Sequence, residues 1–252
     1  MNVNQKSTGL ICDDSEQTEV SPQGVELSSD SNAESVQPHA PLEMPLPPTG
    51  YHNLLPIGSG GTSLVYSALC NTTGQAVALK QLRRELVVEQ QTVVDFLQEP
   101  RILLGLRHPN ILRCYDFFFD CETWWIVLEY LTEGSLKTHM SSDVTRNSVR
   151  SEHWMLQIAD ALAYVHSKGL IHGDVKPGNI LLDGHRAVLA DFGYCSPSNR
   201  DPSSTSRICG TVGYMSDDAL HGIRSYGNDW YALKKSCEKL GVERIDFGCG
   251  KA

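Results

Sequence analysis

Alternation of hydrophobic and polar positions predicts a series of short strands in the first half of the chain. The strands are expected over residues 54–58, 64–69, 75–82, 111–119 and 123–130. A glycine-rich stretch separates the first two strands, and apolar residues at helical spacing predict a helix over residues 85–106, between the third and fourth strands. The first half is therefore predicted to be a small sheet with one helix.

The pattern changes to a helical one from Ser148 onward. Trp154, Ile158, Leu162 and Val165 recur at intervals of three and four residues, which is the spacing of one face of a helix. A strand-rich part followed by a helix-rich part predicts an α+β fold with two lobes and a cleft between them.

Residues 1–48 contain no Phe, Trp or Tyr and are rich in Ser, Glu, Gln and Pro. Such a segment cannot bury enough apolar surface to offset its ordering entropy, so we predict a disordered tail over residues 1–48 and a folded domain over residues 49–252. Residues 1–50 hold eight acidic side chains and one lysine, which is −7 of the total charge of −9. The rest is nearly neutral and has no basic stripe, which argues against nucleic-acid and membrane partners.

The chain has no run of 18 or more apolar residues and no apolar segment near its N-terminus. These features predict neither a transmembrane helix nor a signal peptide. The eight cysteines form no C-x-x-C pair, which is typical of reduced thiols. We therefore expect a cytoplasmic or nuclear protein.

The glycine-rich stretch between the first two strands suits a phosphate, because glycine lets the backbone approach closely and point N–H groups at an anion. It runs from Ile57 to Val65 and includes Gly58, Ser59, Gly60 and Gly61. Glycine-rich hairpins are common, so this signal is weak by itself. Lys80 then interrupts the apolar strand Val-Ala-Leu-Lys and needs an anionic partner if it is buried. Phosphate and Glu99 are candidates; a strand-end lysine with its amine in water is the alternative.

Two segments carry the strongest signal for chemistry: Ile-His-Gly-Asp-Val-Lys-Pro-Gly-Asn at residues 171–179, and Asp-Phe-Gly at residues 191–193. Phosphoryl transfer needs a positioned Mg²⁺, neutralised phosphate charge and an oriented nucleophile. Asp174 can accept the proton of an acceptor hydroxyl, and Lys176 can offset charge on the phosphoryl group. Asn179 and Asp191 can hold the metal. The sequence therefore predicts a site for ATP and Mg²⁺.

These motifs together resemble the eukaryotic protein-kinase family, over about residues 51–240. The resemblance implies a two-lobe kinase fold: a small β-rich N-lobe over about residues 49–131 with one αC helix, and a mainly helical, partial C-lobe over about residues 132–252. It also implies that Lys80 pairs with Glu99 and that Asp191 binds metal.

The resemblance further assigns an adenine site and a scaffold residue. Leu128 resembles the gatekeeper, and Glu129 and Leu131 would offer hinge backbone groups to adenine. Asp229 resembles the helix aspartate that anchors the catalytic loop. The implied sandwich around the adenine ring consists of Ile57, Val65, Ala78 and Leu181.

Two positions imply the substrate class. Lys176, two residues after Asp174, and Thr211 in the run Gly-Thr-Val-Gly-Tyr both resemble the serine/threonine branch of the family. The implied reaction is transfer of the γ-phosphate of ATP to Ser or Thr hydroxyls of protein substrates, by a protein expected to be monomeric.

Five features depart from the family pattern. Ser63 replaces the third glycine of the loop, which is tolerable if its φ is negative. Pro100 follows Glu99 and could loosen the pair with Lys80. Ser-Asp-Asp at residues 216–218 stands where Ala-Pro-Glu is usual, and the sequence stops at Ala252, so the later helices of the large lobe are expected to be missing.

The fifth departure is Gly173, where many members have an arginine that receives a phosphate. Its absence predicts activity that is not controlled by that contact. Other hydroxyls remain candidates for phosphorylation: Ser196, Ser198, Ser203, Ser204, Thr205 and Ser206.

Two rival functions stay open at this point. Small-molecule phosphotransferases also use His-Gly-Asp, although they usually have His where this chain has Lys176 and they lack the Gly-Thr-Val-Gly-Tyr run. A pseudokinase would keep the fold without turnover; the four groups Lys80, Asp174, Asn179 and Asp191 argue against it, and the short C-lobe and Pro100 argue for it.

Overall fold

Five strands form one antiparallel sheet in the order β1-β2-β3-β5-β4. They are β1 (Tyr51–Ser59), β2 (Ser63–Cys70), β3 (Ala76–Leu82), β4 (Cys114–Asp120) and β5 (Thr123–Glu129). The computed structural model describes residues 45–140, 148–199 and 210–242. The predicted tail lies outside these residues except for positions 45–48, and so do the candidate hydroxyls at positions 203–206.

Alternation along β3 divides the sheet into two faces. Val77 and Leu79 pack on one face, in a cluster with Trp125 and other apolar residues of the sheet. Ala78 and Leu82 point to the other face and join the large core that continues into the second half of the chain. Lys80 has the same parity as Ala78, so its amine lies on the face toward that second half.

The helix of the first half, α1 (Gln90–Leu103), is shorter than the predicted 85–106. Its start is later because the Arg83 N–H donates to Thr62 O (2.9 Å). The chain leaving β3 is thereby held against the glycine-rich turn, and residues 84–86 make only a 3₁₀ turn. Its end is earlier because Gly105 donates to Ile102 O (3.0 Å), a tight turn typical of a helix C-terminus.

The predicted fourth strand began three residues too early. Ile111 bridges to Leu189, and the Leu112 N–H donates to Leu189 O (2.9 Å). Residues 111–112 therefore pair with a strand of the second half, and β4 begins only at Cys114. The apolar segment 111–119 thus pairs first with β8 and then joins the five-stranded sheet. The sequence pattern does not show this change of partner, so it predicts one continuous strand.

The second half is mainly helical, with short strands beside the candidate site. Its elements are α2 (Leu136–His139), α3 (Ser148–Ser167), β6 (Leu170–Ile171), β7 (Ile180–Asp183), β8 (Arg186–Leu189), β9 (Ser196–Pro197), α4 (Asp217–Leu220) and α5 (Tyr226–Lys239). The helix α3 supplies the centre of the core with Trp154, Ile158, Leu162 and Val165, all buried as predicted. The α+β, two-part architecture is confirmed. In the described ranges, no helix has the length and apolar character needed to cross a membrane.

Candidate active site

Lys80 is placed in the middle of the sheet, where β3 pairs with Val65 of β2 and with Ile126 of β5. Its Nζ lies 2.7 Å from Glu99 Oε2 of α1 and 3.5 Å from Asp191 Oδ1. The predicted contact between Lys80 and Glu99 is thus formed, and the lysine also reaches Asp191. The strand-end alternative, with the amine in water, does not describe this lysine.

Lys80 stabilises the charge of Asp191 and is itself stabilised by both carboxylates, whereas burial, the largest effect on Glu99, raises the pKa of that carboxyl above its usual value. Burial would lower the pKa of Lys80, but the carboxylates of Asp191 and Glu99 outweigh it, and the pKa lies above its usual value. Burial would raise the pKa of Asp191, but Lys80 opposes that effect and holds the pKa below its usual value. Near neutral pH the site therefore holds a cationic lysine beside an ionised aspartate.

Asp174 lies in a second hydrogen-bonded group, on the loop between β6 and β7. Its Oδ2 accepts from Asn179 Nδ2 (2.9 Å) and lies 3.1 Å from Lys176 Nζ, and its Oδ1 accepts from Thr211 Oγ1 (2.9 Å). Lys176 Nζ also contacts Thr211 Oγ1 at 2.8 Å. The carboxylate is buried, with 4% of the residue exposed. The structure thus brings together the two predicted catalytic residues, one predicted metal ligand and Thr211.

The loop that carries Asp174 is held in place by Asp229 of α5. Asp229 Oδ2 accepts from the His172 N–H and from His166 Nε2, each at 2.8 Å, and Oδ1 accepts from the Gly173 N–H at 2.8 Å. This carboxylate is almost fully buried. A buried carboxylate with three donors is a rigid anchor, and the predicted contact between Asp229 and the loop is present.

Asn179 and Asp191 offer oxygen atoms, which suit Mg²⁺. The amide nitrogen of Asn179, Nδ2, holds the loop by donating to Asp174 O (2.8 Å) and Oδ2. A metal would bind the amide oxygen, which takes no part in these two hydrogen bonds. Asn179 O accepts from the Ala190 N–H (2.8 Å), which links this residue to the segment before Asp191. Asp191 has φ +60°, a strained conformation for a non-glycine residue. One carboxylate and one amide oxygen fit an ion that takes its remaining ligands from phosphates and water.

The glycine-rich turn is fastened by a residue that the sequence did not indicate, Arg83. Its Nε and Nη2 donate to Gly60 O at 3.1 and 3.0 Å, and Nη2 also lies 3.1 Å from Ser59 Oγ. The Gly60 N–H donates to Ser63 O (2.8 Å), which closes the turn. Gly58, which pairs with Val65, lies at the end of β1, and Gly61 is exposed at the tip.

The residues predicted to surround adenine are apolar and packed at the junction of the sheet and the second half. Ile57, Ala78 and Leu181 are buried, and Val65 is half-buried against the same core. Leu131 is buried beside them. At the predicted hinge, the hydrogen bonds show which backbone group of Glu129 is available. The N–H of Glu129 donates to Arg113 O (2.8 Å), so this amide is already used, and only the Glu129 carbonyl could serve a ligand.

The departures from the family pattern have local explanations. Ser63 begins β2 and is not among the residues with positive φ, so the chain tolerates serine there. Pro100 does not loosen the pair of Lys80 and Glu99, and that expectation was wrong. Ser216 caps the helix α4, because its Oγ accepts from the Ala219 N–H (3.2 Å).

Two candidate phosphorylation sites, Ser196 and Ser198, lie within the described ranges, and only Ser198 is exposed. Ser196 is only 3% exposed, and its Oγ is buried, so the folded protein does not offer it to another enzyme. Ser198 Oγ lies 2.9 Å from the hydroxyl of Tyr226. Ser196 was therefore a wrong candidate.

Comparison with known proteins gives a match to the family described as "Protein kinase domain", over residues 51–237. The chain is similar to an Aurora kinase of Debaryomyces hansenii, with 35% identity over 195 residues that cover 76% of this chain and 47% of the relative. An Aurora kinase of Schizosaccharomyces pombe has 36% identity, covering 77% of this chain and 53% of the relative.

A third relative is the serine/threonine-protein kinase Sgk1 of Gallus gallus, with 31% identity, covering 79% of this chain and 45% of the relative. The chain spans about half the length of the curated relatives that it matches.

Proposed function

Because the chain belongs to the protein kinase family, we propose that it transfers the γ-phosphate of Mg-ATP to Ser or Thr hydroxyls of protein substrates. The observation that carries this proposal is a group of three buried side chains, Asp174, Lys176 and Asn179, and the half-buried Thr211, joined by contacts of 2.8–3.1 Å. A structural role alone would not require a carboxylate, an ammonium, an amide and a hydroxyl to converge next to the Lys80–Asp191 pair.

Asp174 is assigned to the acceptor hydroxyl. Its carboxylate can accept the proton of an incoming Ser or Thr as the oxygen attacks the phosphorus atom. Lys176 can move its ammonium from Thr211 and Asp174 toward the transferred phosphoryl group, because both contacts are reversible side-chain hydrogen bonds. The Thr211 hydroxyl holds both groups in position before the substrate arrives.

The nucleotide is assigned to the cleft between the sheet and the second half. The glycine-rich turn would cover the phosphates, Lys80 would bind their oxygens with Glu99 as its partner, and the Glu129 carbonyl and Leu131 N–H would face adenine. The residues proposed to bind ATP are Ile57, Gly58, Ser59, Gly60, Gly61, Val65, Ala78, Lys80, Glu99, Glu129, Leu131 and Leu181.

Mg²⁺, when bound, would neutralise charge on the phosphates and stabilise the transition state. Asn179 and Asp191 are assigned to hold it. Asp191 suits this role because its lowered pKa keeps it ionised and its backbone is fixed in an unusual conformation.

The proposal is tested by incubating the purified chain with radiolabelled ATP and generic Ser/Thr protein substrates, with Mg²⁺ and with EDTA. Label should appear on phosphoserine or phosphothreonine only with Mg²⁺, and Lys80→Met should weaken the ATP-dependent reaction. Labelling of an aminoglycoside or choline but of no protein would identify a small-molecule phosphotransferase. Binding of Mg-ATP without transfer to any acceptor would identify a pseudokinase.

A further inference from the structure

Gly173, the residue directly before Asp174, leaves no room for a side chain. A Cβ atom at this position would lie 2.2 Å from Arg224 Nη2 and 3.0 Å from Tyr194 O. Its φ is +83°, a region that favours glycine. Its carbonyl is also closely approached, because a Cβ at Gly210 would lie 2.9 Å from Gly173 O. The space that a side chain at position 173 would fill is therefore taken by the guanidinium of Arg224.

Arg224 reaches this space from the connection between α4 and α5. Its Nη2 donates to Tyr194 O at 2.5 Å. Its Nε is buried, and within the described residues it has no hydrogen-bond partner. The described ranges also give Arg224 no carboxylate within ion-pair distance. The guanidinium is thus fixed by one backbone carbonyl and by packing against the backbone of Gly173.

These contacts place Arg224 between two functional segments. Gly173 adjoins Asp174, and Tyr194 follows Asp191 by three residues. Gly173 is also held by Asp229, which accepts a hydrogen bond from its N–H. The loop before Asp174 therefore contacts both a buried carboxylate and a guanidinium, and these two side chains come from the same stretch of chain, five residues apart.

We propose that Arg224 is a positioning residue, which replaces a side chain at position 173 and fixes the Asp174 loop relative to the Asp191–Tyr194 segment. This inference rests on the proposed kinase function. Without Arg224, the hydrogen bond that joins it to Tyr194 O is lost, and a void opens beside Gly173. The acceptor side of the site, at Asp174, is then no longer held at a fixed distance from the metal side, at Asp191. Because phosphoryl transfer depends on alignment, the turnover number falls while the affinity for ATP stays the same.

A double-mutant cycle over Gly173→Ala, Arg224→Ala and the double variant tests the contact directly. In the presence of Arg224, the new methyl group must displace the guanidinium, so Gly173→Ala causes both the loss of the Tyr194 contact and backbone strain. In the Arg224→Ala background the strain and the close approach to Tyr194 O remain, but no guanidinium has to be displaced. The effect of Gly173→Ala on kcat should therefore be smaller in that background, by a factor between about twofold and about a hundredfold. Equal effects in both backgrounds would overturn the proposal.

Arg150→Ala is the matched control. Arg150, on α3, likewise donates its Nη2 to a backbone carbonyl, but that carbonyl belongs to Gly184 (2.8 Å) in the turn between β7 and β8 and not to the Asp174 loop. Its replacement should leave kcat at the wild-type value for the folded protein. Arg224→Ala should lower kcat without changing the KM for ATP, and Arg224→Lys, which keeps a donor, should recover part of the loss. An Arg224→Ala variant with wild-type kcat would contradict the proposal.

Hydrogen exchange separates failure of this proposal from failure of the proposed function, because it needs no turnover. Peptides that cover residues 172–174 and 191–195 are followed by mass spectrometry. Arg224→Ala should accelerate exchange in both segments, and Arg150→Ala in neither. If the wild type transfers no phosphate but exchange responds in this way, the kinase assignment fails and the coupling stands. Unchanged exchange in both segments would overturn the coupling whether or not the protein is a kinase.

Discussion

Lys80 Nζ and Glu99 Oε2 are 2.7 Å apart, although the residue after Glu99 is a proline inside the helix. Pro100 has no N–H to donate to the preceding turn. The helix continues beyond it nevertheless, since the Leu104 N–H donates to Pro100 O (3.0 Å), and Gln98 on the same turn is hydrogen-bonded to Cys195 O. The glutamate is therefore held by contacts on both sides of the proline.

The first prediction concerns this pair. Glu99→Gln keeps the shape of the side chain and removes the charge that Lys80 binds. Hydrogen bonds to charged groups contribute about 1.5–3 kcal/mol, so kcat/KM for ATP should fall about 10- to 100-fold. Steady-state kinetics at varied ATP measures the effect. Glu122→Gln, at an exposed position between β4 and β5, is the control. A Glu99→Gln variant as active as that control would show that the pair has no part in catalysis.

The second prediction concerns the hydrogen bonds by which Arg83 holds the glycine-rich turn. Arg83→Ala removes the donors to Gly60 O and the contact with Ser59. The guanidinium is charged, but its contacts are exposed to solvent, so we expect the hydrogen bonds to contribute about 0.5–1.5 kcal/mol and the KM for ATP to rise about 2- to 10-fold as the turn loosens. The adjacent, exposed Arg84 provides the matched control, because Arg84→Ala removes the same charge without these contacts. If both variants raise the KM for ATP equally, the effect comes from the lost positive charge and not from the hydrogen bonds of Arg83 with the turn.

The third prediction concerns Thr211. Thr211→Val keeps the shape and removes the hydroxyl that contacts both Lys176 (2.8 Å) and Asp174 (2.9 Å). Asp174 and Lys176 then lose their common partner, and we expect kcat to fall about tenfold or more. Thr211→Ser keeps the hydroxyl and should retain most of the activity. The reverse order, with valine better than serine, would exclude the positioning role.

Some residues of the candidate site could be predicted from the sequence, and others could not. Lys80 and Asp174 were predicted because a lysine in an apolar strand and a cluster of polar residues among apolar ones are visible in the pattern itself. Arg83 and Arg224 were missed because their partners are backbone carbonyls, those of Gly60 and Tyr194. A carbonyl is present at every residue, so no spacing of side chains indicates which one an arginine will bind.

Element boundaries show the same limit. The hydrophobic pattern indicated that residues 111–119 form extended chain, but it could not show that Ile111 pairs with Leu189 across the two halves. Likewise, α1 begins at Gln90 because a tertiary contact holds the chain after β3. Such boundaries are fixed by long-range hydrogen bonds, which local propensity does not contain.

The fourth prediction concerns stability. Asp229→Asn removes a buried charge and leaves at least one of its three donors without an acceptor. An unsatisfied buried donor costs about 1–3 kcal/mol, so thermal unfolding should occur several degrees lower. Asp160→Asn is the control, since Asp160 is exposed and its carboxylate pairs with His108 at the surface. Equal melting temperatures for the two variants would show that Asp229 is not the anchor of the loop.

The central claim is that Asp174 promotes phosphoryl transfer from Mg-ATP. Its most direct test is the single-turnover rate of transfer to a Ser/Thr substrate by the wild type and by Asp174→Asn, with the affinity for Mg-ATP measured on the same preparations. Loss of a general base should lower the rate about 10²- to 10⁴-fold with ATP affinity unchanged. Equal single-turnover rates for the two proteins would contradict the account.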